Sequence, residues 1–229
     1  MTTAIAPALD AAQIQHFIEH GWLLASDLIP REVALAADAH TWTLLGFDPA
    51  DPATWVEPQV KEYMPLSDAY AACYTTPLLA AAAQLLPDPL ACPLARAPDY
   101  AFVIRILPEP GPWRSGHNLH IDSTGAYSTA YMQAWRLSAM VYLHDVAPQA
   151  GRTVVWDASH TRIMAHVRSD PTRHKWLKEV DLSRLDLGEP LEVAGKAGDV
   201  LFFDPLLAHA KPMNVGGRPR FAMNIKWPG

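Results

Sequence analysis

Apolar positions change their period about halfway along the chain. Up to residue 98 they recur in helical steps. Ile14, Phe17 and Ile18 follow Asp10 and Gln13, which have the spacing of a capping box, and predict a first helix running to about Gly21. After the apolar segment Trp22 to Ile29, Pro30 suits the first turn of a second helix that continues toward Leu45 and stops at Gly46. Residues 47–66 are rich in proline and predict loop. Thr76-Pro77 opens a third helix, Leu78 to Leu86, which Pro87 closes, and the proline-laden run to Pro98 reads as a connection.

From Tyr100 the period becomes two. Ala101 to Leu107 sets Ala101, Val103 and Arg105 on one face of a strand, and Phe102, Ile104 and Ile106 on the other. Further strands are predicted at Leu119 to Asp122, Leu137 to Leu143, Thr153 to Trp156, Leu191 to Ala194, Val200 to Phe203 and Phe221 to Trp227, with turn residues between several of them. In the last, Arg220, Ala222, Asn224 and Lys226 share one face, and Phe221, Met223, Ile225 and Trp227 share the core face. Thr161 to Pro190 forms a charged insertion, expected to be partly helical around Arg173 to Val180. Helices followed by short strands predict a mainly β fold, an antiparallel sandwich or barrel braced by N-terminal helices. The 229 residues fit one domain, 1–229, with helical support in 1–98 and a β core in 99–229 carrying the insertion 161–190.

Composition narrows the partners. A net charge of −6 with 18% charged residues argues against a nucleic-acid binder that relies on phosphate contacts, so a small molecule is the expected partner. Cys73 and Cys92 make no disulfide framework and no CxxC pair, which points to a reducing, cytoplasmic setting. Neither a signal peptide nor an apolar run of membrane-spanning length is expected. Nothing in the sequence fixes an oligomeric state.

Chemistry concentrates in Gly116-His117-Asn118-Leu119-His120-Ile121-Asp122. In an extended segment, His120 and Asp122 aim an imidazole and a carboxylate at one point, while Ile121 turns into apolar packing. A third ligand must come from elsewhere, and His209 is the best placed. Two histidines and a carboxylate form the facial triad of non-haem Fe(II) oxygenases, which leaves coordination positions open. His117 falls on the opposite face by its odd spacing, yet could line the same cavity. His16, His20, His40, His166 and His174 fit solvated helices, and His144 and His160 fit strand ends or turns. Arg220, entering a strand after the turn Asn214 to Pro219, could grip a carboxylate with both arms of its guanidinium. A dicarboxylate oxo acid fits, its oxo acid end on the metal and its far carboxylate on Arg220. Arg218, on the turn, reads as a surface residue. Arg105 and Arg114 could meet a carboxylate or phosphate, and Trp113, Tyr127, Tyr131 and Trp135 could wall a pocket. The competing reading of these aromatics is core packing, and of the arginines surface ion pairs.

These residues together resemble the phytanoyl-CoA dioxygenase family of Fe(II)- and 2-oxoglutarate-dependent oxygenases. Leu9 to Leu45 is similar to the family's opening helix pair around an apolar turn, and His120-Ile121-Asp122 matches its HxD. Ala150-Gly151 through Asp157-Ala158-Ser159-His160 resembles its NG…PGSH segment. Gly198 to Phe203, His209, Asn214 and Arg220, eleven residues after the histidine, resemble its distal ligand and cosubstrate arginine. The resemblance implies a double-stranded β-helix, or cupin-like jelly roll. It implies Fe(II) held by His120, Asp122 and His209, and 2-oxoglutarate held by Arg220; Lys211 and Arg105 are the further expected cosubstrate contacts. With O₂, such an enzyme hydroxylates or otherwise oxidises a C–H bond of a small molecule and releases succinate and CO₂. Arg114, His117, Tyr127 and Trp135 are the expected substrate contacts. Lys211 departs from the pattern, standing where many relatives carry Ser or Thr. Asp122 keeps the carboxylate that halogenating relatives have lost. The alternative is a cupin-like metal- or ligand-binding module without turnover, although the first cupin segment is absent. Zinc hydrolysis lacks an HExxH-like arrangement.

Overall fold

The computed structural model describes residues 7–56, 63–86, 100–115, 119–122, 135–169 and 182–228. Helix α1 (Ala11–His20) starts where Asp10 accepts from the Gln13 N–H and the Gln13 side chain accepts from the Asp10 N–H, the reciprocal pair of a capping box. It ends at Gly21, whose φ of 77° is the left-handed cap that glycine adopts without a Cβ penalty. Strand β1 (Trp22–Ala25) follows at once, and α2 (Arg31–Leu45) runs from Pro30 to Gly46. Strand β2 (Tyr63–Pro65), a short helix α3 (Asp68–Ala71) and α4 (Thr76–Leu85) complete the N-terminal part.

The rest is strand-rich: β3 (Tyr100–Ile106), β4 (Trp135–Tyr142), β5 (Val154–Trp156), α5 (Ser159–Ser169), β6 (Pro190–Glu192), β7 (Val200–Phe203), β8 (His209–Ala210) and β9 (Arg220–Pro228). Six strands form an antiparallel sheet in the order β1-β7-β4-β9-β3-β2, and three form a second, β6-β5-β8. Two expectations change, and a third lies outside the described residues. The N-terminal part is more than helical support, because β1 and β2 supply both edges of the larger sheet. Leu119 to Asp122 is not a strand and makes only a single bridge, His120 to His209. The insertion's described helix is α5, which begins at Ser159, while Arg173 to Val180 lies outside the described residues.

Alternation along the strands divides the core into layers. Leu23, Val103, Ala139, Phe202, Phe221, Met223 and Ile225 pack with Phe17, Trp42, Tyr70 and Leu78 from the helices. Ile104, Met140, Tyr142, Leu201, Phe203 and Ala222 point the other way, onto Val155 and Leu207 beside the smaller sheet. The larger sheet is therefore covered on both faces. Each large apolar side chain so buried contributes about 1.5–3 kcal/mol. A third cluster joins Ile121 to Ile163 of α5 and to Leu182, Leu187, Leu206 and Ala208, which fixes the backbone behind the HxD segment. Among the described residues no helix is long and apolar enough to cross a membrane.

Candidate metal centre

The backbone brings the two histidines together. The His120 N–H donates to the His209 carbonyl and the His209 N–H to the His120 carbonyl, both at 3.0 Å, while the Asp122 N–H donates to the Pro205 carbonyl at 2.9 Å. The Ser159 hydroxyl accepts from the Ala208 N–H at 2.9 Å, so the Asp157-Ala158-Ser159-His160 segment steadies the residue before His209. Asp157 of the same segment accepts from His20 and from the Trp22 indole, which ties the start of the chain to this loop.

Ligand atoms of His120, Asp122 and His209 all lie within 4.8 Å of one another. His209 Nδ1 lies 2.9 Å from the Leu207 carbonyl, which can only accept, so the proton sits on Nδ1 and Nε2 keeps its lone pair. That Nε2 is 3.9 Å from Asp122 Oδ1. Burial pushes the His209 imidazole down to about 4, so the ring is neutral at pH 7, as a metal ligand must be.

Burial disfavours the Asp122 carboxylate, whose side chain is only 7% exposed. The charges of His209 and Lys226 and hydrogen bonds from Lys226 and Ser138 outweigh that cost and hold the group below its ordinary value. With His209 neutral at pH 7, the cation beside Asp122 is Lys226, whose Nζ donates to Oδ1 at 2.8 Å. Ser138 donates to Oδ2, also at 2.8 Å.

A cavity of about 200 Å³ opens beside these residues. Phe102, Ile104 and Met140 form its apolar wall, and Arg220, Asn224, Lys226, Lys211 and Thr153 line it with the three candidate ligands. Arg220 is 1% exposed. Its Nε donates to the Gly151 carbonyl at 2.7 Å, and its Nη1 has no partner. Burial lowers its pKa to about 10, with the nearby Tyr142 acting against that shift. A buried guanidinium with a spare donor is costly unless an anion completes it. Two imidazoles, one ionised carboxylate and this cation therefore suit a divalent metal and an anionic chelator. Asn214, fully buried, donates to the Ile106 and Arg218 carbonyls and accepts from the Gly216 N–H, pinning the turn between His209 and Arg220.

The other expected residues divide. Lys211 lines the cavity. Arg105 does not: strand alternation turns it with Ala101 and Val103 toward the helix-covered face, opposite Phe102 and Ile104, which corrects its expected place beside the cosubstrate. Arg114 is exposed, and its carbonyl accepts from the Met213 N–H at 3.1 Å. Trp135 starts β4, but its side chain, His117, Tyr127 and Tyr131 lie outside what is described. Arg218 is more than a surface residue, since it pairs with Asp38 at 2.9 Å and lies over the Trp42 ring at 5.3 Å. Sequence reasoning passed over Lys226, Asn224 and Ser138. The first two were signalled by the alternation that links them to Arg220, and Ser138 by a small hydroxyl set between Leu137 and Ala139.

The phytanoyl-CoA dioxygenase (PhyH) family profile matches residues 64–222. No curated protein matches the sequence. Among solved structures, the chain is similar to AviO1 from Streptomyces viridochromogenes Tue57 at 16% identity and a TM-score of 0.63, over 98% of this chain and 97% of that one. It is similar to SnoK, a non-heme alpha-ketoglutarate-dependent carbocyclase from nogalamycin biosynthesis, at 16% identity and a TM-score of 0.62, over 99% and 87%. It also matches the epimerase SnoN, in a complex with Fe3+, alpha-ketoglutarate and nogalamycin RO, at 14% identity and a TM-score of 0.61, over 95% and 82%. Likeness at such identities speaks to the fold.

Proposed function

The chain belongs to the phytanoyl-CoA dioxygenase family, and from that premise we propose that it is an Fe(II)- and 2-oxoglutarate-dependent oxygenase that hydroxylates, or otherwise oxidises, a C–H bond of a small molecule. The observation that carries this reading is the meeting in one cavity of three ligand atoms within 4.8 Å and a buried arginine with an unpaired donor. The two facing antiparallel sheets support a double-stranded β-helix, one domain across 1–229. The composition supports a cytoplasmic protein whose partner is a small molecule.

His120, Asp122 and His209 would hold Fe(II), with Nε2 of His209 presented by the Leu207 carbonyl. Arg220 would take the far carboxylate of 2-oxoglutarate through its spare Nη1, and Lys211 on the same wall would add charge. Phe102, Ile104 and Met140 exclude water from the reacting centre. With iron, 2-oxoglutarate and O₂ bound, oxidative decarboxylation to succinate and CO₂ supplies the oxidising power for C–H cleavage. SnoK and SnoN, named for carbocyclisation and epimerisation, show that such a fold serves outcomes other than hydroxylation.

The test is succinate formation. Fe(II)-loaded protein given 2-oxoglutarate in air should form succinate slowly without substrate and lose that activity in His209→Ala. Iron-loaded protein that binds 2-oxoglutarate yet forms no succinate, alone or across a broad panel of small molecules, would leave the binding-module reading in its place.

A further inference from the structure

Asp122 is held from two sides before any metal arrives. Lys226 Nζ donates to Oδ1 and Ser138 Oγ to Oδ2, each at 2.8 Å. Oδ1 is the oxygen that faces His209 Nε2, 3.9 Å away, and so the oxygen nearest the point where the ligands converge. A carboxylate offers about two lone pairs per oxygen. Lys226 occupies one on Oδ1, and the Ser138 hydroxyl holds Oδ2 in place. A cation drawn to Oδ1 would therefore have to share that oxygen with the Lys226 ammonium.

From this arrangement we infer that Lys226 is a positioning residue that holds the Asp122 carboxylate in place in the metal-free protein and lowers the affinity of the site for divalent cations. The inference rests on the iron and 2-oxoglutarate reading and deepens it. The ammonium also neutralises the carboxylate before the ion binds, and it repels the ion across a short distance in a site with little water to screen it. Its benefit falls on the metal-free protein, where the Asp122 side chain, 7% exposed, would otherwise be a buried anion held by the Ser138 hydroxyl with no cation beside it. Lys226 is reachable for this role because β9 sets it on the face of Arg220 and Asn224, opposite Ser138 in the β4–β9 register.

The two effects have opposite signs, which separates positioning from simple packing. In Lys226→Met, Mn(II) titrated into the full chain at neutral pH, with free Mn(II) read by electron paramagnetic resonance, should bind at least about tenfold more tightly than in the wild type. The melting temperature of the metal-free variant should fall, and Mn(II) should raise it by more than in the wild type. Lys226→Arg, which restores the cation, should return the affinity to within about threefold of the wild type. Should Lys226→Met not fold, Lys226→Gln removes the charge while keeping a donor and must show the same tightening. Unchanged or weaker Mn(II) binding in the neutral variants overturns the inference. A wild-type protein that binds no Mn(II), or binds it equally well as His120→Ala, overturns instead the assignment of the metal centre.

Discussion

Replacing Arg220 by methionine keeps the length of the side chain while removing its charge and all its donors, and it should push stability and cosubstrate binding in opposite directions. In the metal-free protein the guanidinium is 1% exposed with Nη1 unpaired, and burial has lowered its pKa to about 10 from 12.5. That depression corresponds to a cost of roughly 3 kcal/mol for keeping the cation in place. Methionine relieves this cost but loses the bond to the Gly151 carbonyl, worth about 1 kcal/mol. The metal-free variant should therefore be as stable as the wild type or more so, by about 1–2 kcal/mol, a rise of about 2–8 °C in melting temperature for a chain of this size. Binding of 2-oxoglutarate should suffer. One charge-assisted hydrogen bond is worth about 1.5–3 kcal/mol, so affinity should drop roughly tenfold to a hundredfold or more. Thermal melts of the metal-free proteins and anaerobic 2-oxoglutarate titrations of the Fe(II) forms read both effects, and iron affinity should barely move. Arg220→Lys should recover part of the loss, since lysine offers a point charge and no fork. An Arg220→Met variant that binds 2-oxoglutarate within twofold of wild type would show that Arg220 does not hold the cosubstrate. If Lys211→Ala then proves crippling, the anion site is built around Lys211.

Three further outcomes follow from the same structure. His120→Ala, Asp122→Ala and His209→Ala should each give a folded protein by circular dichroism that no longer retains stoichiometric iron, because the ligands sit on a backbone braced by Ile121, Leu206 and Ala208. Acid should destabilise the metal-free protein between pH of about 6.5 and about 4. His144 and His209 are both lowered to about 4 by burial, so the unfolded chain takes up their protons first, and each contributes up to about 3 kcal/mol that is lost as pH falls through that window. Urea midpoints that stay flat from pH 7 to 4 would contradict this. Arg218→Ala should cost about 1–2 kcal/mol in urea unfolding, because it leaves the buried Asp38 without its ion pair and uncovers Trp42, while Mn(II) affinity stays unchanged.

Strand β9 explains why so much of the site could be read from the chain. Nine residues of strict alternation place Arg220, Asn224 and Lys226 on one face and a run of core residues on the other, and period two is unambiguous over that length. The same alternation had already set Arg105 with Ala101 and Val103. Which face of β3 would meet the cavity depends on how the two sheets pack, and the pattern within one strand does not contain that. Short elements were illegible for a related reason. Strand β2 is three residues including a proline, β8 is two, and β1 hides in an apolar stretch, so their pairing is fixed by neighbours distant in sequence. His120 and His209 show the limit most plainly. The HxD spacing announced a ligand pair, but the reciprocal backbone bonds that join His120 to His209 bridge 89 residues of sequence and belong to the tertiary fold.

An iron held by His120, Asp122 and His209 and chelated by 2-oxoglutarate beside Arg220 has a visible signature, which an anaerobic absorption titration reads. Purified protein should develop a visible metal-to-ligand charge-transfer band when Fe(II) and 2-oxoglutarate are both present, and with neither alone. Protein verified to carry one equivalent of Fe(II) that shows no such band at saturating 2-oxoglutarate would contradict this assignment of the metal and cosubstrate.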